Sequence, residues 1–135
     1  MKRDKIFGIL YCVIGMLIAL GPKTIFHVCD RLKDDGSHMA CFYTSQMTMC
    51  IGMGIVMFSL MLMILKETNS KIVCVAGELF FAVAAWLTPN MLIGVCSGTT
   101  MQCRMVTLPA INIASIVSLI ISIVYIILLL KEKRN

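Results

Sequence analysis

Residues 111–130 read INIASIVSLIISIVYIILLL, and no charged side chain interrupts them. The length matches the roughly 20 residues that cross the hydrocarbon core of a bilayer. Lys131, Glu132, Lys133 and Arg134 follow at once, so the charge returns where such a span would end. Three more apolar runs share this character: Ile6 to Leu20, Met47 to Leu65 and Ile72 to Leu87. A backbone in lipid must satisfy its own hydrogen bonds, so each run is expected to be a helix. Across all 135 residues, apolar types make up 59% and charged types 14%, and the charges sit in clusters between the runs. The fold class expected is therefore an all-α integral membrane protein with four transmembrane helices, at about 5–21, 42–65, 72–88 and 108–130. Two outer loops, 22–41 and 89–107, complete a single domain over 1–135. Helix 4 opens at Leu108-Pro109, where a proline in the first turn costs no hydrogen bond.

The basic residues suggest an orientation. Lys2, Arg3, Lys5, Lys66, Lys71, Lys131, Lys133 and Arg134 fall on one side, and Lys23, Arg31, Lys33 and Arg104 on the other. That asymmetry puts both termini and the Lys66–Lys71 turn in the cytoplasm of a cell membrane, with both long loops outside. The net charge of +5 then needs no nucleic-acid partner; positive-inside bias and anionic lipid headgroups account for it. The first run has signal-peptide features, with basic residues before it and Ala19-Leu20-Gly21 after it. Pro22 follows the candidate cleavage site, and helix 1 is needed as the counterpart of helix 3, so helix 1 is expected to be retained.

The two outer loops repeat a pattern. Pro22 leads to Val28-Cys29, then Met39-Ala40-Cys41 and Thr44; Pro89 leads to Val95-Cys96, then Met101-Gln102-Cys103 and Thr107. Repetition at matched spacing implies two pseudo-equivalent helical hairpins. Four cysteines in an exported compartment point first to disulfides. Cys29–Cys41 would close 13 residues and Cys96–Cys103 would close 8; loops this small are stabilised by about 2–3 kcal/mol each in the chain-entropy model. Cross-loop pairing is also open. Two chemical alternatives use the same residues. One is thiol–disulfide exchange, although no Cys-x-x-Cys occurs. The other is soft-metal binding by Met39, Cys41, Met101 and Cys103, with His27 and His38 near.

Inside the membrane, Glu78 stands out, because an ionisable residue in a span is costly. It is expected about seven residues into helix 3, level with Tyr11 or Cys12, Ser59, and Tyr125 or Ser122. A neutral Glu78 bonded to Ser or Tyr in an intramembrane polar layer of Glu78, Tyr11, Ser59 and Tyr125 would fix helix register. No basic residue falls within the expected spans to pair with it. Cys12, Cys50 and Cys74 read as small hydrophobes. Gly8, Cys12, Gly15 and Ala19 form a small-residue stripe for close helix approach. Met49, Met53, Met57 and Met61 form an i, i+4 stripe suited to adaptable packing. Asn112, Ser115, Ser118 and Ser122 share a side of helix 4. There is no phosphate-binding loop, Ser/His/Asp set or His-Glu-x-x-His, so a non-enzymatic role with no metal and no cofactor is expected.

At the cysteine loops the chain resembles an uncharacterised family of small bacterial and archaeal membrane proteins, a domain of unknown function with four helices. The resemblance rests on Cys29 with Ser37-His38-Met39-Ala40-Cys41-Phe42-Tyr43-Thr44. It rests also on Leu92-Ile93-Gly94-Val95-Cys96, Met101-Gln102-Cys103-Arg104 and Thr107-Leu108-Pro109-Ala110. Phe42 and Gln102 depart from the family pattern, which has His and Pro there. The resemblance carries over no established activity. Its association with ABC-type export permeases implies an accessory subunit, with a membrane protein partner. Homo-oligomers, including a small homodimeric transporter, are the remaining expectation.

Overall fold

The computed structural model describes residues 2–24, 36, 40–93 and 103–135, the side chains of Cys41, Cys103 and Arg104 excepted. Four helices carry the chain: α1 (Lys2–Thr24), α2 (Ala40–Ile64), α3 (Thr68–Leu87) and α4 (Leu108–Arg134). All four are long and apolar enough to cross a membrane. By length and composition this is a multi-pass membrane protein. Among the described residues there is no strand.

Contacts between helices fix the arrangement. Gly8 sits against Met63, Gly15 against Ile55, and Gly52 against Ala19. Residue numbers rise on α1 as they fall on α2, so the two are antiparallel. Gly54 sits under the ring of Phe81, and Gly77 under the ring of Phe58, which makes α2 and α3 antiparallel as well. The two rings meet each other with centroids 5.7 Å apart. Arg3 bonds Glu132, and Tyr11 bonds Ser122, so α4 runs against α1. Packing is most extensive within the α1–α2 and α3–α4 hairpins, and the α1–α4 seam is the lightest of the four. Two apolar clusters fill the interior. Tyr11, Leu62, Cys74, Val75, Tyr125 and Leu129 occupy the end that holds the chain termini. Ile18, Ile51, Ile55, Ala85 and Ala114 lie toward the other end.

Several boundaries differ from the sequence expectation. Helix α1 continues through Pro22 to Thr24 instead of yielding to a loop at Pro22. Proline deletes one backbone donor, but surrounding turns can carry a helix past it in a membrane protein. At the far end Thr24 Oγ1 donates to the Leu20 carbonyl at 2.8 Å. Helix α3 starts at Thr68, earlier than the hydropathy suggested, and it takes Lys71 into its first turn. The preceding Glu67 has extended backbone angles, φ −76° and ψ 133°, which turn the chain between α2 and α3. Helix α4 runs on to Arg134 through its basic cluster, where cations suit the negative end of the helix dipole.

The segment between α3 and α4 starts and finishes as helix with more residues per turn. Thr88–Leu92 is a π-helical turn that begins just before Pro89. Pro89 has no N–H to continue the α pattern. The ladder resumes when Ile93 N donates to the Thr88 carbonyl five residues back, at 3.0 Å. A second π turn, Cys103–Thr107, leads into α4. Met91 and Leu92 therefore continue the rod of α3 and are exposed. The repeated threonines of the two loops, Thr44 and Thr107, are both buried.

Candidate functional site

The buried face of α1 begins at Asp4 and continues through Gly8, Tyr11, Gly15, Ile18 and Ala19. That of α3 begins at Lys71 and continues through Cys74, Val75, Glu78, Ala82 and Ala85. Both are helical stripes, and each opens with a charge. The two charges meet: Lys71 Nζ donates to Asp4 Oδ2 at 2.9 Å. Tyr125 of α4 donates its hydroxyl to Asp4 Oδ1 at 2.7 Å. Phe7 stacks on the Tyr125 ring, with centroids 4.4 Å apart. Both oxygens of Asp4 are thus held, and the triad clasps α1, α3 and α4 at one end of the bundle.

Neither Asp4 nor the burial of Lys71 was singled out in the sequence. The expectation that no basic residue enters a span is corrected: Lys71 lies in α3 and is buried. Its partner, however, is Asp4 and not Glu78. Asp4 could have been found from the small-residue stripe. Gly8, Gly15 and Ala19 mark the face of α1 that packs inward, and four residues before Gly8 is Asp4.

One step further in, Tyr11 donates to Ser122 Oγ at 3.0 Å, and Ser122 donates onward to the Ser118 carbonyl at 2.9 Å. Glu78 is fully buried, at 0% exposure. Among the described residues neither of its carboxyl oxygens has a hydrogen-bond partner, and Ser118 Oγ has none either. The four residues expected to form a polar layer are all buried, but the three besides Glu78 bond elsewhere. Tyr11 goes to Ser122, Tyr125 goes to Asp4, and Ser59 Oγ donates to the Val56 carbonyl of its own helix at 2.8 Å. The expected bond from Ser or Tyr to Glu78 is not made. The reason is competition: a phenol prefers the charged acceptor Asp4, and helical serines return to their own backbone. Ser115 does so too, at 2.7 Å to Ile111.

At the opposite end of the bundle two neutral amide side chains meet. Asn90 Nδ2 donates to Asn112 Oδ1 at 2.7 Å and to the Trp86 carbonyl at 2.6 Å, linking the π turn after α3 to α4. Cys29 and Cys96 lie outside the described residues, as do the side chains of Cys41 and Cys103; His27, His38, Met39 and Met101 lie outside them too. Cys12, Cys50 and Cys74 are free thiols. Among the described residues no group of three His, Cys, Asp or Glu side chains converges.

Of the methionine stripe, Met49 is half-buried and the other three are exposed. Met53, Met57 and Met61 are 60%, 68% and 55% exposed, so α2 turns them outward, while its inward face carries Ile51, Ile55 and Leu62. A family described as a domain of unknown function (DUF4418) matches residues 11–128. No curated protein and no solved structure matches the chain.

Proposed function

The chain belongs to the DUF4418 family, and from that premise we propose that it is a small non-enzymatic accessory or assembly subunit of a larger membrane complex, such as an ABC-type transporter. The observation that carries this reading is the outward stripe of Met53, Met57 and Met61. Unbranched thioether side chains adapt to irregular neighbours and recur on binding surfaces. At i, i+4 spacing they offer one straight face to a transmembrane helix of a partner. The interior polar groups suit a scaffold, because Asp4, Lys71, Tyr125, Tyr11 and Ser122 join helix to helix. The outer loops, stapled as Cys29–Cys41 and Cys96–Cys103, would extend the docking surface. The orientation proposed has both termini in the cytoplasm. The end of the bundle that bears Lys2, Arg3, Lys5, Lys66, Lys71, Lys131, Lys133 and Arg134 is the more basic one, which the positive-inside rule favours there. Two pseudo-equivalent hairpins accord with the closer packing of α1 on α2 and of α3 on α4.

A photo-crosslinking residue at Met57, used in native membranes, tests the accessory role. One discrete heavier adduct is expected, containing a partner that also co-purifies in fixed stoichiometry. The same probe at Ile127, exposed on α4, is expected to give none. Recovery of only monomer or homodimer from both positions would overturn the reading.

A second reading, a homodimeric transporter of protons or cations, is favoured by the unpartnered carboxyl of Glu78. It requires pH-gradient-driven flux in liposomes that Glu78→Gln abolishes. Gln is nearly isosteric with Glu and carries no exchangeable acid, so equal flux in both proteins would sink this reading.

A further inference from the structure

Beside the Asp4–Lys71 pair, a half-open cleft of about 230 Å³ lies between the first turns of α1 and α3 and the last turn of α2. Its polar lining is Lys5, Lys66, Lys71 and Asp4, and its apolar lining is the Met63–Leu65 segment. Three cations against one carboxylate leave a surplus of two positive charges. Asp4 cannot neutralise the surplus, since Lys71 and Tyr125 already hold both of its oxygens. Lys71 uses one of its three donors on Asp4. Glu67 is exposed and does not line the cleft. Helix α3 starts just past Lys66 at its N-cap Glu67, whose side chain makes no cap hydrogen bond, and its first turn holds no acidic residue; the surplus charge of the cleft therefore comes from the lysines. A water occupies about 30 Å³ of liquid, and a phosphate group needs only a few such volumes, so the cleft has room for one.

We infer that this cleft binds a phosphate oxyanion, held between Lys5 and Lys66 and steered by Lys71. The adjoining Met63, Ile64 and Leu65 give an attached acyl chain an apolar path along α2. Basic clefts between transmembrane helices at the positively charged side are suited to anionic headgroups. The phosphate has two sources, an anionic phospholipid or free phosphate.

Native mass spectrometry of the full chain in detergent micelles separates them. Phosphatidylglycerol and phosphatidylcholine of matched acyl chains are titrated in one arm, and inorganic phosphate in the other. Retention of phosphatidylglycerol over phosphatidylcholine identifies a headgroup site. Saturable phosphate binding without lipid preference identifies the free anion. In either case the double variant Lys5→Gln/Lys66→Gln is expected to weaken binding by about fivefold for each lysine removed. It leaves the Asp4–Lys71 pair untouched, so its thermal unfolding is expected to match the parent. The pair Lys131→Gln/Lys133→Gln removes equal charge from the same end of the bundle, outside the cleft, and is expected to change binding less than twofold. Absence of both lipid preference and phosphate binding overturns the site. So does an equal loss from the two double variants, which reduces the effect to general surface charge.

Discussion

Asp4→Ala is expected to destabilise the folded bundle by about 3–5 kcal/mol, measured as the free energy of reversible unfolding by denaturing detergent in mixed micelles. The magnitude follows from what the substitution leaves behind. Lys71 is buried and donates to Asp4 Oδ2, so removal of the carboxylate strands an ammonium without its counter-charge. Tyr125 loses its acceptor in the same step. Lys71→Ala is expected to cost a similar amount by stranding the carboxylate. Tyr125→Phe removes only one hydrogen bond to a charged group, worth about 1.5–3 kcal/mol. The double variant Asp4→Leu/Lys71→Met removes both charges and fills the space with apolar atoms; it is expected to recover most of the loss, because a buried pair returns little beyond its own desolvation cost. An Asp4→Ala protein within about 1 kcal/mol of the parent would mean that Lys71 finds water or lipid phosphate instead, and the clasp would not be a structural element.

The clasp marks the limit of what the sequence made legible. The four helices followed from apolar length alone, since a bilayer permits little else. The inward face of α1 followed from Gly8, Gly15 and Ala19, because small residues permit close approach wherever they fall in register. Asp4 and Lys71 were concealed by the same rule that revealed the helices. Hydropathy sets span ends where charge begins, so by hydropathy both residues fall on the flanks. Their stripes continue inward, with Lys71 seven residues before Glu78 on α3 and Asp4 seven before Tyr11 on α1. Glu78 was recognised as buried for the right reason, but its bonding could not be read. Whether a serine answers a neighbouring acid or its own helix depends on rotamer and on backbone geometry, and Ser59, Ser115 and Ser122 all chose a backbone carbonyl. The methionine stripe was legible as a stripe, but not in its direction. Helix α2 is apolar nearly all round, so periodicity does not tell its lipid face from its core face.

At Gly52 the backbones of α1 and α2 come into direct contact, and Gly52→Leu is expected to abolish the folded bundle. A Cβ built at Gly52 would lie 2.5 Å from Ala19 N and 2.8 Å from Ala19 Cα and Cβ. Those atoms belong to the backbone and first carbon of α1, so no rotamer change clears the clash and the helices must separate. Separation would propagate to Gly15, where an added Cβ already meets Ile55 and Val56 at 2.9 Å and the Gly52 carbonyl at 3.1 Å. Even Gly52→Ala is expected to cost about 1–3 kcal/mol as overpacking. Gly8→Ala provides the contrast. Its Cβ would meet Met63 Cγ at 2.4 Å and Sδ at 3.2 Å, atoms of a flexible side chain that can swing aside, and the Ser59 carbonyl only at an ordinary contact distance of 3.4 Å. Replacement of glycine by alanine within a helix also returns roughly 0.5–1 kcal/mol of backbone entropy, so Gly8→Ala is expected to be close to neutral. The sign of the difference is the decisive quantity. If Gly52→Ala proves no more harmful than Gly8→Ala, then α1 and α2 are not locked backbone to backbone, and the small-residue stripe serves some purpose other than close packing.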